Sequence, residues 1–185
     1  GRSWEEIKEI VKDLNWLDVS GISLSQFGLL SNRKLGSLIK ENLGDVNLED
    51  APVPVVMVAT DITTGEKVIL KKGSVAQAVM ASTSIPGIFV PVEINGQLLV
   101  DGGIVENVPV TTLKDLGADL VIGVDLNARH RHSRPRNIIE VLLRSFDFTL
   151  KTATRLQTEK ADILIEPDLS AFNMVDIDQV DDLIE

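Results

Sequence analysis

The chain has no cysteine. Disulfides, zinc–thiolate sites and a cysteine nucleophile are therefore excluded within these 185 residues. Their absence fits a reducing compartment, and the reading is a cytoplasmic protein. Positive charge is also scarce: 18 Lys and Arg stand against 28 Asp and Glu, for a net charge of −10. A phosphate backbone would repel such a chain as a whole, so no nucleic-acid partner is expected. No apolar stretch approaches the roughly 20 residues that span a bilayer. No signal peptide opens the sequence. The first residues, GRSWEEIKEI, carry no Met and enter a helix almost at once, so Gly1 reads as an expression scar or as the point where an upstream segment is missing. No internal repeat or low-complexity stretch interrupts the chain, which is long enough to bury a sizeable core as one domain over residues 1–185.

Apolar periodicity is what the sequence has in quantity. Ser3 and Glu6 form an S-x-x-E capping box ahead of Ile7, Ile10, Val11 and Leu14, predicting a helix from about Ser3 to Leu14. Residues 15–31 read as a long surface connection pinned to the body by its Trp and Phe. Ser31 caps a second helix, and Gly44 stops it. VPVVMVATD (53–61) is too short for a helix and reads as a strand buried on both faces. TTGE (63–66) is a turn into a second strand, 67–72, and Ser74 caps a short helix after it. Residues 90–101 form a hairpin around Asn95-Gly96. Pro109 opens another helix that ends at Gly117. DLVIGVDL (119–126) is a second buried strand, and 137–160 a long amphipathic helix with Ile139, Leu142, Leu143, Phe146, Leu150 and Ala153 on the face expected to pack on the sheet. ADILIEP (161–167) is a last strand, and the acidic C-terminus is helical or frayed. Buried strands alternating with helices predict an α/β fold, three-layered, with a mostly parallel sheet and helices on both faces.

One stretch carries chemistry. In LLVDGGIVENVPV (98–110) a carboxylate, Asp101, ends an apolar run and is followed by two glycines. Ligands of α/β folds collect where strands end at their carboxyl edges. Gly102 and Gly103 would turn the chain and leave bare backbone beside the carboxylate, which suits a general base. The competing reading is a plain turn, for which Asp-Gly is a common dipeptide.

Residues 81–127, ASTSIPGIFVPVEINGQLLVDGGIVENVPVTTLKDLGADLVIGVDLN, widen the context. The A-S-x-S-I-P-G-I-F-x-P segment, the D-G-G, the N-x-P and the L-G-A-D before an apolar strand resemble bacterial patatin-like phospholipases in order and spacing. Residues 52–70 and the helix region GLLSNRKLGSLIKENLG resemble the same family. The resemblance covers about residues 1–127 well. It implies a lipid acyl hydrolase working by a serine–aspartate dyad, with Asp101 as the base, Gly102 and Gly103 keeping the site open, and no histidine between. It implies an acyl-ester or lipid substrate and no metal or organic cofactor. The family's serine sits in a G-x-S-x-G elbow and its oxyanion donors in an upstream glycine-rich loop. Neither motif occurs here: GISLSQFG (21–28) holds Ser23 and Ser25 but has Ser where the last glycine belongs. The expectation is a chain that begins after the nucleophile, lacks a strand–elbow–helix unit, holds only the aspartate half of the dyad and is inactive alone. The alternative is a non-catalytic lipid-binding or regulatory relative that keeps the scaffold.

Other polar groups read more plainly. Ser82, Thr83 and Ser84 are expected to cap or pack, and Pro86 and Gly87 to shape a loop. Asn107, after Glu106, is expected to cap the next helix. Asp125 ends a strand as Asp101 does. His130 and His132 form an H-x-H pair without further ligands, so no metal site is assigned. The basic loop RHRHSRPR (129–136) leaves an anionic head group open as a partner. Peripheral membrane contact and a homo-oligomer complete the partners considered.

Overall fold

The computed structural model describes residues 2–12, 14, 16–126, 134–135 and 137–172. His130, His132, most of the basic loop and the acidic C-terminus lie outside the described residues. The helices are α1 (Trp4–Lys12), α2 (Trp16–Val19), α3 (Arg33–Leu43), α4 (Val75–Ser82), α5 (Gly103–Glu106), α6 (Val110–Asp115) and α7 (Ile138–Thr158). The strands are β1 (Gly21–Ile22), β2 (Gly28–Ser31), β3 (Met57–Asp61), β4 (Lys67–Leu70), β5 (Gly87–Phe89), β6 (Val92–Ile94), β7 (Gln97–Asp101), β8 (Ile122–Val124) and β9 (Ile163–Ile165). They form three sheets, in the orders β1-β2-β5, β4-β3-β7-β6 and β8-β9. The fold is α/β.

Its local signals act as read with one exception: Ser31 ends β2, and Asn32 stands at the start of α3 without a side-chain cap bond. Glu6 Oε2 accepts from Ser3 N at 2.7 Å while Glu6 N donates to Ser3 Oγ at 3.3 Å, closing the capping box of α1. Gly44, at φ 81°, ends α3, and Ser74 accepts from Gln77 N at the start of α4. Asn95 and Gly96 both adopt positive φ (53° and 78°), as the tight turn between β6 and β7 requires.

Strand direction departs from expectation. The four-stranded sheet is antiparallel at every pairing, which corrects the mostly parallel sheet. Two tight turns decide two of its three pairings. Asp61 Oδ1 accepts from Thr63 N at 2.9 Å and folds β4 straight back on β3, and the Asn95-Gly96 turn does the same for β6 and β7. A parallel pair needs a crossover of roughly a dozen residues. Among the described strands, β2/β5 and β8/β9 are joined by longer connections and are parallel, whereas β3 and β7, separated by residues 62–96, still pair antiparallel. Of the apolar run 53–61 only Met57–Asp61 is a strand, buried because α4 and α5 both pack on β3, while Val53 and Val55 are exposed. The strand signals cover on both faces, whatever the direction of its neighbours. The main core is Leu48, Ala59, Leu70, Ala78, Ala81 and Leu99, between α4 and this sheet. A smaller cluster, Val108, Val110 and Val121, joins α6 to β8.

Three more expectations change. The 15–31 connection contains α2 and the β1–β2 hairpin, and Phe27 is exposed instead of pinning it. The β8 strand is covered on one face only, since Ile122 and Val124 are exposed. Among the described side chains of α7 the most deeply buried are Thr154 and Thr158, with Phe146, Leu150 and Ala153 partly covered and Leu142 in solvent; Ile139 and Leu143 lie outside them.

Candidate functional site

Asp101 is the last residue of β7, paired with Ala59 of β3. Its backbone is held on both sides: its N–H donates to Ser84 O at 2.9 Å, and its carbonyl accepts from the buried Thr60 Oγ1 at 2.9 Å. The carboxylate is half-buried, and Oδ1 accepts from Gly103 N at 2.7 Å. Burial pushes this carboxyl above its ordinary range and the Gly103 N–H works against that, with burial the larger effect. The strand end fixes the side chain while one carboxylate oxygen stays free of the turn.

The two glycines are there for different reasons. Gly102 has φ −70°, open to any residue. A Cβ on it, however, would lie 2.2 Å from Val58 O. Glycine is required because the turn presses on the backbone of β3. A Cβ on Gly103 would lie 3.0 Å from Asp101 Oδ1 and 3.2 Å from Asn107 Oδ1, so glycine there keeps the carboxylate uncrowded.

A carboxylate that sequence reasoning missed stands five residues after Asp101. Glu106 is 4% exposed. Its Oε1 accepts from Thr111 N at 2.8 Å and Thr112 N at 3.1 Å, at the start of α6. Its Oε2 accepts from Lys67 Nζ at 2.8 Å and from the Thr112 hydroxyl. Burial works to raise this carboxyl, but the hydrogen bonds from Lys67 and Thr112 and the Lys67 charge outweigh it and hold it below its ordinary range. Glu106, not Asn107, is therefore the cap of α6. Asn107 turns toward α7 instead: its Nδ2 donates to Thr154 Oγ1 at 3.2 Å and its N–H to Gln157 Oε1 at 3.1 Å. Gln157 in turn donates to Val105 O at 2.9 Å, so one side chain clamps α7 to the turn after Asp101.

Ser82, Thr83 and Ser84 each donate their hydroxyl to a main-chain carbonyl, those of Val58, Val79 and Met80. They pack, as expected. Gly87, at φ 78°, shapes the loop after Pro86. Ser23 and Ser25 accept from the N–H two residues on and close a local turn. Among the described residues no serine hydroxyl donates to the Asp101 carboxylate. Asp125 lies beyond β8 in the separate β8–β9 sheet and, with Asn107, Asp147, Leu150, Lys151 and Thr154, lines a cavity of about 30 Å³. Among the described residues no group of three or more His, Asp or Glu could hold a metal, and no helix is long and apolar enough to cross a membrane.

Known proteins resemble the chain in sequence. An uncharacterized NTE family protein of Mycobacterium bovis is 38% identical over 105 residues, covering 57% of this chain and 29% of its own length. A second such protein, from Mycobacterium tuberculosis, is 29% identical over 203 residues, covering 96% of this chain and 34% of its own length. The neuropathy target esterase sws of Drosophila melanogaster is 34% identical over 103 residues, covering 55% of this chain and 7% of its own length. The chain thus spans about a third of the mycobacterial relatives. The family pattern described as "Patatin-like phospholipase" matches residues 4–114, a span that contains the whole Asp101 turn and all but the last residue of α6. The chain belongs to the patatin-like phospholipase family.

Proposed function

We propose that the protein is a lipid acyl hydrolase in which Asp101 is the general base of a serine–aspartate dyad. The observation that carries this reading is the Asp101 carboxylate itself. It sits at a fixed strand end, half-buried, tethered by one N–H, and raised toward the range where a carboxylate accepts a proton effectively. In this reading the serine and the oxyanion donors come from a strand–elbow–helix unit outside these 185 residues, and that unit completes a single three-layer domain. The β8–β9 ribbon supports this, because Ile122, Val124, Ile163 and Ile165 form an exposed apolar face that a further element would cover.

The chemistry follows from the placement. The serine hydroxyl attacks the ester carbonyl while Asp101 takes its proton. The proton passes to the leaving alcohol, and an acyl-enzyme remains. Water then attacks that acyl group with Asp101 again as base, releasing the acid and restoring the serine. Gly103 leaves room for the hydroxyl at the carboxylate, and Gly102 lets the turn sit hard against β3. No metal or organic cofactor takes part. The protein works in the cytoplasm, at the surface of its lipid substrate.

The test is Asp101→Asn in the full-length protein, assayed on a short-chain ester and on phospholipid. Turnover should fall by about 10²–10⁴-fold on both. Unchanged turnover would remove Asp101 from the chemistry and favour a lipid-binding relative without catalysis.

A further inference from the structure

The β1–β2 hairpin is built unlike the rest of the molecule. Ile22 is 91% exposed and Leu24 fully so, with Phe27 and Leu29 also in solvent. Ile22 pairs with Leu30 across the hairpin, so it lies on the opposite face from Leu29. Apolar side chains therefore leave both faces and the tip. A partner protein packing on one sheet face would cover half of them, whereas immersion in an acyl layer covers them all. The polar backbone is prepared for this. Ser23 N donates to Leu29 O at 3.1 Å, and the Ser23 and Ser25 hydroxyls accept from the N–H groups of Ser25 and Phe27. A hairpin entering a lipid interface must satisfy such groups internally.

Charge points to the same occupant. Residues 19–40 contain Arg33, Lys34 and Lys40 and no carboxylate, in a chain of net charge −10, with Lys40 paired to Asp45 at 2.7 Å. Arg33 and Lys34 are exposed and border a groove with Ile22, Leu24 and Pro91, where Glu93 is the acidic member. Their long stems can lie along apolar surface while the cations reach phosphates; Lys34 Nζ also donates to Leu17 O at 2.6 Å, which leaves it two further N–H groups. The exposed β8–β9 face differs: Asp119, Asp125, Asp162 and Glu166 flank it. The hairpin is also tied to the site. Asn32, just after β2, donates to Ser84 Oγ at 3.0 Å, and Ser84 O accepts from Asp101 N at 2.9 Å.

We infer that the β1–β2 hairpin is an interfacial insertion element. Ile22, Leu24, Phe27 and Leu29 enter the acyl boundary of an anionic phospholipid surface, and Arg33 and Lys34 meet its head-group phosphates. This rests on the lipid-hydrolase reading for its purpose: it brings the Asp101 site to its substrate.

The experiment uses the full-length protein and vesicles of phosphatidylcholine with and without phosphatidylglycerol. Cosedimentation, melting temperature and turnover of a water-soluble short-chain ester are measured together. The wild type should prefer the phosphatidylglycerol vesicles and lose that preference in high salt. Leu24→Ser with Phe27→Ser should lower partitioning about tenfold or more. Arg33→Ser with Lys34→Ser should abolish the anionic preference. Soluble-ester turnover should stay unchanged in both, and melting temperature should stay unchanged in the apolar pair and fall only slightly in the basic pair, which loses the Lys34–Leu17 hydrogen bond. A wild type that binds neither vesicle overturns the inference, as does binding indifferent to Leu24 and Phe27. A melting temperature lowered by the apolar pair also overturns it, because the hairpin would then pack under another segment of protein. Absence of ester turnover in the wild type would instead sink the hydrolase reading, and the vesicle result would still decide the hairpin.

Discussion

At Asp101 burial and a single N–H pull the carboxyl in opposite directions, and burial prevails. A carboxyl with a raised pKa holds its proton more tightly in the folded chain than in the unfolded one. Ionising it therefore costs folding free energy. That cost is absent below the ordinary pKa and fully present above the raised one. Asp101→Asn removes the cost while its amide oxygen can still accept from Gly103 N. The variant should melt at or above the wild-type temperature near neutral pH, and the gap should close as pH falls through the raised pKa. A plain turn would behave oppositely: loss of its capping carboxylate would lower the melting temperature. The neighbouring glycines separate stability from chemistry. Gly102→Ala drives a Cβ into the β3 backbone at Val58 and should destabilise by about 2–4 kcal/mol in denaturant titrations. Gly103→Ala crowds Asp101 Oδ1 and Asn107 while gaining helix propensity, so stability should change by less than about 1 kcal/mol. Its ester turnover should nonetheless collapse. Equal loss of stability in both variants would deny Gly103 any role beyond packing.

Among the elements, α5 and α6 are fixed to the β3–β4 hairpin through one buried carboxylate. Glu106 accepts two N–H groups of α6, the Thr112 hydroxyl and the Lys67 ammonium. Its carboxyl lies below the ordinary range, so its contribution is present above the unfolded value of 4.5 and is lost as pH falls through the lower folded value. Glu106→Gln should cost about 2–3 kcal/mol at neutral pH. Urea titrations should show the gap to wild type shrinking in acid, and a gap independent of pH would mean that charge plays no part. The sequence announces neither this network nor its partners. Lys67 lies 39 residues from Glu106, and no local period links them. The nearest available signal was an acidic residue just ahead of a Pro-initiated helix followed by two threonines. Signals that act within a few residues were legible: the Ser3/Glu6 box, the Asn95-Gly96 turn, Ser74 and Gly44. The Asp101 turn was legible for a similar reason, since a strand end, a carboxylate and two glycines are contiguous. Strand direction was misread because a run such as 57–61 reports cover by helices, and the tight turn at Asp61 reports direction. The two had to be read together.

For the whole molecule the open question is what the 185 residues do by themselves. Ile122 and Val124 pair in register with Ile163 and Ile165, so all four share one exposed face of a two-stranded ribbon. An apolar ribbon with free edges favours association. The isolated chain should sediment as an oligomer, and Ile122→Lys with Val124→Lys should return it to a monomer with its helical spectrum intact. A monomeric wild type would show that the face is tolerated in water. Association does not restore chemistry, however. A second copy brings another Asp101 and no G-x-S-x-G elbow, because the motif is absent from the sequence that both copies share. The isolated chain should therefore leave short-chain esters untouched whether monomeric or assembled. Adding the proposed strand–elbow–helix unit in trans should restore turnover at Asp101, and its seat on the β8–β9 face should dissolve the oligomer. Ester turnover by the 185 residues alone, abolished by Asp101→Ala, would place the nucleophile within this chain and overturn the divided dyad.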